Sequence, residues 1–258
     1  MRLAILEDDA SQLELITRWL QMAGHQVHAF EQGTALLRAL EHETFDALLL
    51  DWNVPDVSGL EVLKRLRHEL SSRTPVLFST ARTEETDVVS ALRQGADGYL
   101  VKPLRRLELL ARLDAITRRN VDKGAQAERL EIGAFRVDAA ARRLLRNNEP
   151  LALTAKDFDL AVLFLRNVGR MLSRGHLWES VWNGKGVVSS RTIDTHVSRI
   201  RGKLLLLPEY GWRLAAVYGY GYRLEQLSGT SVPQARATNS ATQEPDQGLL
   251  EDALGQRG

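Results

Sequence analysis

The chain has no cysteine in its 258 residues, which excludes disulfides, thiolate nucleophiles and cysteine-held metals. No apolar run approaches the roughly 18 uncharged residues that a membrane span requires. The start, Met1-Arg2-Leu3-Ala4-Ile5-Leu6-Glu7-Asp8, brings acids in before any long apolar stretch, against a secretory signal. A cytoplasmic protein is expected, with no membrane partner. The net charge of +1 is almost no charge at all, yet it hides an asymmetry. Residues 1–119 sum to −3, residues 120–226 to +6 and residues 227–258 to −2. An acidic half joined to a basic half implies that only the second meets a polyanion.

Short apolar runs at 3–6, 26–30, 47–50, 75–78 and 99–101 alternate with stretches of helical period, such as Leu13, Ile16, Leu20 and Leu60, Leu63, Leu66. Gly24 and Gly95 stand where two helices should end. This alternation predicts an α/β domain, a doubly wound five-stranded parallel sheet over residues 1–119. The polar stretch 120–129 reads as a linker. Residues 130–226 change character and predict a smaller α+β domain. Strands are expected at 130–137, 144–145 and 151–153, helices at about 155–167, 174–182 and 190–206, and a strand-like end at 214–224. The tail at 227–258 is rich in Ser, Thr, Gln, Gly and Pro, and is expected to be disordered.

Four strand ends in the first half carry complementary polar groups: Glu7-Asp8-Asp9, Asp51, Ser79-Thr80 and Lys102-Pro103. A parallel sheet brings them to one edge, where such sheets bind ligands. Clustered carboxylates there call for a divalent cation or a lysine. Mg2+ suits two or three carboxylates in an open pocket. A carboxylate beside it can attack a phosphoryl group and form an acyl phosphate. Asp9 alternatively caps the first helix.

This order, together with Gly95-Ala96-Asp97-Gly98-Tyr99-Leu100-Val101-Lys102-Pro103, resembles a CheY-like receiver domain over residues 1–119. The resemblance implies Asp51 as the phosphoacceptor, supplied by a sensor histidine kinase. It implies Asp8 and Asp51 as Mg2+ ligands, Glu7 acting through water, and the Asn53 backbone carbonyl completing the shell. Thr80 and Tyr99 match the switch pair, Lys102 matches the phosphate-binding lysine, and the bond before Pro103 is expected to be cis.

In the second half, Ile193, Val197, Ile200 and Leu204 form one apolar helix face. Thr192, Thr195, His196, Arg199 and Lys203 oppose it, and Ser189 or Ser190 is a candidate N-cap. Such a helix suits the major groove. Arg191, His196 and Arg201 are assigned to phosphates, which fix position rather than sequence. The segments Leu153-Thr154-Ala155-Lys156-Asp157-Phe158, Leu172-Ser173-Arg174-Gly175-His176-Leu177-Trp178, Arg191-Thr192-Ile193-Asp194-Thr195-His196 and Tyr218-Gly219-Tyr220-Gly221-Tyr222-Arg223 resemble the OmpR/PhoB winged-helix domain over residues 130–226. This implies double-stranded DNA as the ligand, residues 190–206 as the recognition helix, Trp182 as half core and half phosphate contact, and a C-terminal hairpin wing. RNA polymerase is an implied partner. Tyr218 replaces a wing arginine common in relatives, and Ser198 a common basic residue.

The family dimerises, when phosphorylated, through a face corresponding to about 87–119. Val88 and Gly98 stand where relatives place members of an intersubunit ion pair, so a larger apolar share is expected. Two alternatives compete with a phosphorylation-dependent regulator of transcription. A haloacid-dehalogenase-type phosphatase wants a second Asp two positions after the first, where this chain has Asn53, so no enzyme beyond slow autodephosphorylation is expected. A phosphorylation-independent DNA-binding scaffold would leave an intact pocket unused.

Overall fold

The computed structural model describes residues 1–81, 85–121, 129–184 and 190–227, with backbone alone for 85, 119–121, 129 and 190. Most of the expected linker, the Ser189 and Ser190 side chains and the tail from 228 lie outside the described residues.

Five short strands form the first sheet: β1 (Arg2–Leu6), β2 (Gln26–Phe30), β3 (Ala47–Asp51), β4 (Val76–Thr80) and β5 (Gly98–Val101). All pair in parallel, in the order β2-β1-β3-β4-β5. Helices α1 (Ala10–Met22), α2 (Gly33–Leu40), α3 (Gly59–His68), α4 (Glu85–Arg93) and α5 (Arg106–Val121) connect and follow them. Successive strand residues point to opposite faces, and both faces are covered. Leu3, Ile5, Leu49 and Leu77 pack with Ile16 of α1 and Leu113 of α5. Leu48, Leu50 and Phe78 pack with Leu36, Val62 and Ala91 of α2, α3 and α4. That is why these strands read as apolar runs rather than as alternations. Asp9 caps α1 by accepting from the Gln12 amide at 3.0 Å. Gly24 and Gly95 end their helices with φ of +82° and +93°.

The second domain begins with a four-stranded antiparallel sheet: β6 (Arg129–Ile132), β7 (Phe135–Asp138), β8 (Arg143–Arg146) and β9 (Glu149–Pro150). Then come α6 (Ala155–Arg166), β10 (Met171–Ser173), α7 (Arg174–Trp182) and α8 (Ser190–Lys203). A hairpin of β11 (Trp212–Val217) and β12 (Gly221–Gln226) closes the domain, with β12 also pairing β10. Phe135, Phe164, Trp178, Ile193, Val197 and Leu224 share one core.

Three expected boundaries are corrected. The stretch 130–137 is a hairpin rather than one strand, because Gly133 turns the chain at φ +56°. Residues 151–153 are not a strand; the pairing strand is Glu149–Pro150, and Thr154 then caps α6. The last helix stops at Lys203, and Leu205 follows it at φ +51°.

The two domains meet at the edge where β1 and β3 begin. His176 of α7 is almost fully buried there, with its Nδ1 3.0 Å from the Thr44 hydroxyl and its Nε2 3.5 Å from Asp46. Burial, reinforced by the cations Arg170 and Arg2, outweighs Asp46 and lowers the imidazole pKa to about 4. The folded pKa lies below the unfolded value of 6.5. His176 therefore stays neutral when folded and gains its proton on unfolding. Stability is then complete above pH 6.5 and falls as the pH drops toward 4, by up to about 3 kcal/mol. A thermal midpoint that declines across this window, with a flatter profile for His176→Gln, is the expected result.

Candidate phosphoacceptor site and nucleic-acid interface

The carboxyl ends of β1, β3 and β5 converge as the strand pattern requires. Glu7 and Asp8 follow β1, Asp51 ends β3, and Lys102 follows β5. Lys102 Nζ lies 2.8 Å from both the Glu7 carboxylate and Asp51 Oδ2. The Asn53 amide donates to Asp51 Oδ1 at 3.2 Å. Oxygens of Glu7, Asp8 and Asp51 lie within 4.8 Å of one another. Glu7 and Asp51 are buried, whereas Asp8 and Asn53 are exposed, so the cluster opens to solvent.

Burial, with the Asp51 charge, raises the Glu7 pKa above its usual value despite Lys102. Burial opposes the charge on Lys102, but its bonds to Asp51 and Glu7 outweigh that and raise its pKa. One cation thus faces three carboxylates, and the remaining negative charge suits a divalent ion. The donor set is all oxygen with an open side, which fits Mg2+.

Thr80 ends β4 fully buried, with its backbone paired to Val101. Tyr99 pairs Phe78 and packs partly buried against the α2–α4 core. The Lys102–Pro103 bond is cis, as expected. Asp9 is spent on its cap and stays outside the cluster.

The start of α3 is pressed onto the site. A Cβ at Gly59 would lie 2.1 Å from the Asp51 carbonyl oxygen. Backbone cannot yield there without moving Asp51. Gly59→Ala is expected to cost at least about 2 kcal/mol and to slow modification of Asp51, read by chemical denaturation and by adduct mass.

In the second domain α8 buries Ile193, Val197, Ile200 and Leu204, as its pattern requires. Its other face divides. Arg191 and Thr195 are exposed and Thr192 is partly so. Tyr218, at the hairpin tip, is 99% exposed. Trp182 stacks on Trp178 with centroids 5.2 Å apart and also meets the His196 ring.

Four residues expected at DNA are held from within. His196 Nδ1 lies 2.7 Å from Asp157, and Arg199 lies 3.4 Å from the same carboxylate. Arg201 donates to the Leu214 carbonyl at 2.8 Å, and Lys203 to the Ala152 carbonyl at 2.7 Å. Sequence reasoning missed Asp157 as their anchor and Arg174 as a partner of Asp194. Asp194 also accepts from the Tyr222 hydroxyl, which ties α8 to α7 and the hairpin.

Residues 3–114 match the family model for the response regulator receiver domain, and residues 148–224 match that for the C-terminal domain of transcriptional regulatory proteins. The chain is an OmpR/PhoB-type two-component response regulator. It is 38% identical over 224 residues to the sensory transduction protein RegX3 of Mycolicibacterium smegmatis, covering 86% of this chain and 97% of that one. It is 36% identical over 222 residues to the DNA-binding response regulator MtrA of Mycobacterium tuberculosis, covering 86% of this chain and 96% of that one. The solved structure of DrrB, a Thermotoga maritima OmpR/PhoB homolog, is 27% identical over 87% of this chain and 98% of that one, with a TM-score of 0.42. As a response regulator the chain joins a receiver domain to a DNA-binding output domain. Among the described residues, no helix is long and apolar enough to cross a membrane.

Proposed function

We propose that Asp51 accepts a phosphoryl group from a sensor histidine kinase and that this modification promotes dimerisation and sequence-specific DNA binding by a cytoplasmic protein. The observation that carries the reading is Lys102, bridging Glu7 and Asp51 at 2.8 Å beside a third carboxylate. An Asp51 oxygen attacks phosphorus, the bond from phosphorus to the donor imidazole breaks, and its electron pair leaves with the imidazole. Asp8 and Asp51 would hold Mg2+, with Glu7 through water and the Asn53 carbonyl, and the ion supplies charge neutralisation. Lys102 is already placed to turn from the Asp51 carboxylate to a phosphate oxygen. Thr80 and Tyr99, on neighbouring strands, form the switch pair. Asn53 stands where a phosphatase would place its second Asp, so the acyl phosphate persists.

Arg191, Thr195 and Tyr218 are exposed candidates for DNA that no internal ion pair holds among the described residues, with Thr192 partly exposed and Trp182 behind them, whereas Arg199 and Lys203 are exposed but bonded within the domain. His196, Arg199, Arg201 and Lys203 act chiefly by fixing α8, and any phosphate contact they make is shared with those internal bonds. RNA polymerase remains the expected downstream partner.

The dimer face is α4–β5–α5. It exposes Val89, Leu92, Val101 and Leu107. Asp97 is engaged by Arg67 at 3.2 Å and by the Val76 amide at 2.9 Å, so it is not free for a partner. A Cβ at Gly98 would meet Leu77 at 2.8 Å, which accounts for glycine there by packing. These features support an association with a larger apolar share. Light scattering with acetyl phosphate and Mg2+ tests it: a phosphorylated chain that doubles in mass is expected, and one that stays monomeric at high concentration overturns the dimer.

A further inference from the structure

Helices α1 and α3 are capped by Asp9 and Ser58, the residues that precede them. Gln32, before α2, makes no side-chain cap bond, and the first turn of α2 holds no acid. The cap comes instead from the loop between β3 and α3. One carboxylate oxygen of Asp56 accepts from the Gly33 amide at 2.9 Å. The other accepts from the Thr34 amide at 2.9 Å and from the Thr34 hydroxyl at 2.8 Å. The little burial Asp56 has works against its charge, but the Thr34 and Val57 amides, the Thr34 hydroxyl and the Gly33 amide hold its carboxyl well below the usual range. An anion here also suits the dipole of α2.

The same helix start is fastened on a second side. Phe30, at the end of β2, accepts from the Glu7 amide at 3.0 Å. A Cβ at Gly33 would lie 2.2 Å from the Val57 carbonyl oxygen, so the loop rests directly on the helix. Val57 packs into the core that holds Leu36 of α2. The start of α2 thus links Glu7, after β1, to loop 52–58, after β3, and contributes none of the pocket's carboxylates.

We propose that Asp56 is a positioning residue for the metal pocket: its bonds to the start of α2 hold loop 52–58, and with it Asn53, in the place that completes a Mg2+ shell with Asp8 and Asp51. Three residues of the loop, Asn53, Pro55 and Asp56, are exposed, so packing alone does not hold the turn. Mg2+ demands near-ideal octahedral geometry and penalises a ligand that drifts. Asp56 is not itself a ligand and touches no reacting atom. Its loss therefore weakens Mg2+ binding more than the reaction of the loaded pocket. The proposal rests on the reading of Asp51 as the phosphoacceptor.

Mg2+ is titrated into the full chain and followed in two ways. One is tryptophan fluorescence, because Trp52 is buried next to Asp51 in the chain, with its ring 5.3 Å from that of Phe78. The other is the rate of adduct formation with acetyl phosphate. Loss of a group behind a metal ligand commonly costs about 10–100-fold in metal affinity. Asp56 stands one step further back, so Asp56→Ala is expected to raise the half-saturating Mg2+ concentration about fivefold. The adduct rate at saturating Mg2+ should stay within about twofold of the parent. Asp56→Asn keeps an acceptor for one amide and Thr34→Val loses only the hydroxyl bond, so each is expected to shift half-saturation about twofold. An unchanged half-saturation in Asp56→Ala, even with a lower thermal midpoint, makes Asp56 a helix cap and nothing more, and overturns the proposal. So does a fall confined to the saturated rate. Should Asp56→Ala not fold, Asp56→Asn and Thr34→Val carry the test, and parent-like values in both overturn it. A parent chain with neither a Mg2+ response nor an adduct instead defeats the reading of the pocket on which the proposal rests.

Discussion

Incubation with acetyl phosphate and Mg2+ should add one phosphoryl group to the intact chain, and Asp51→Ala should take up none. Of the four carboxylates at this edge, Asp51 is the one placed to react. Asp9 is committed to the Gln12 amide. Glu7 is buried with its pKa raised by that burial, which makes it a poorer anion. Asp8 is exposed and beyond the strand end. Asp51, the last residue of β3, is fixed by both a cation and an amide, with Oδ2 2.8 Å from Lys102 and Oδ1 3.2 Å from the Asn53 amide, whereas Glu7 shares Lys102 but is weakened by its raised pKa. Positioning of this kind supplies most of what phosphoryl transfer needs. Intact-protein mass reads the result directly. An adduct that survives in Asp51→Ala would move the acceptor to another group. No adduct on the unmodified chain would favour the phosphorylation-independent scaffold, in which the pocket is a relic.

Asp157→Ala should destabilise the second domain by about 1–3 kcal/mol, the cost of taking away the acceptor shared by the Thr154 hydroxyl, His196 and the exposed Arg199. Asp157 is fully buried in the first turn of α6. Burial works against its charge, but His196, the Thr154 hydroxyl and Arg199 together hold its pKa below the usual 3.8. Removing the carboxylate strips His196 and Arg199 of the group that fixes the exposed face of α8. For a domain of about 100 residues the thermal midpoint should fall on the order of 10 °C. Asp157→Asn keeps the shape and one acceptor, and should fall less. A midpoint within a degree or two of the parent would show that the cluster contributes nothing net. Since α8 is held to α6 through this point, duplex affinity should fall with stability.

Much of this was legible in the sequence for a local reason. Strands buried on both faces must be apolar throughout, so 3–6, 47–50 and 75–78 announce themselves, and the first polar residues after them mark one edge of a parallel sheet. Glu7, Asp8, Asp51 and Lys102 meet there because topology leaves them no other place. The same locality made the reading fail at 130–137, where alternation continues through Gly133 although the chain reverses. It failed again on the polar face of α8. Period shows which side of a helix is wet, but not whether Arg201 will find the Leu214 carbonyl or Lys203 that of Ala152. Arg2 gave no local sign of its role. Its partner Glu179 is 177 residues away, and the choice among many carboxylates is made only when two domains pack and desolvate that guanidinium. The sequence by itself determined the two folds and the acidic pocket, because burial period and strand-end chemistry are encoded within a few residues. Tertiary structure alone decided which charges stay open to solvent, which hold the fold and which join the domains, because a hydrogen-bond partner is fixed by proximity in space and not by neighbourhood along the chain.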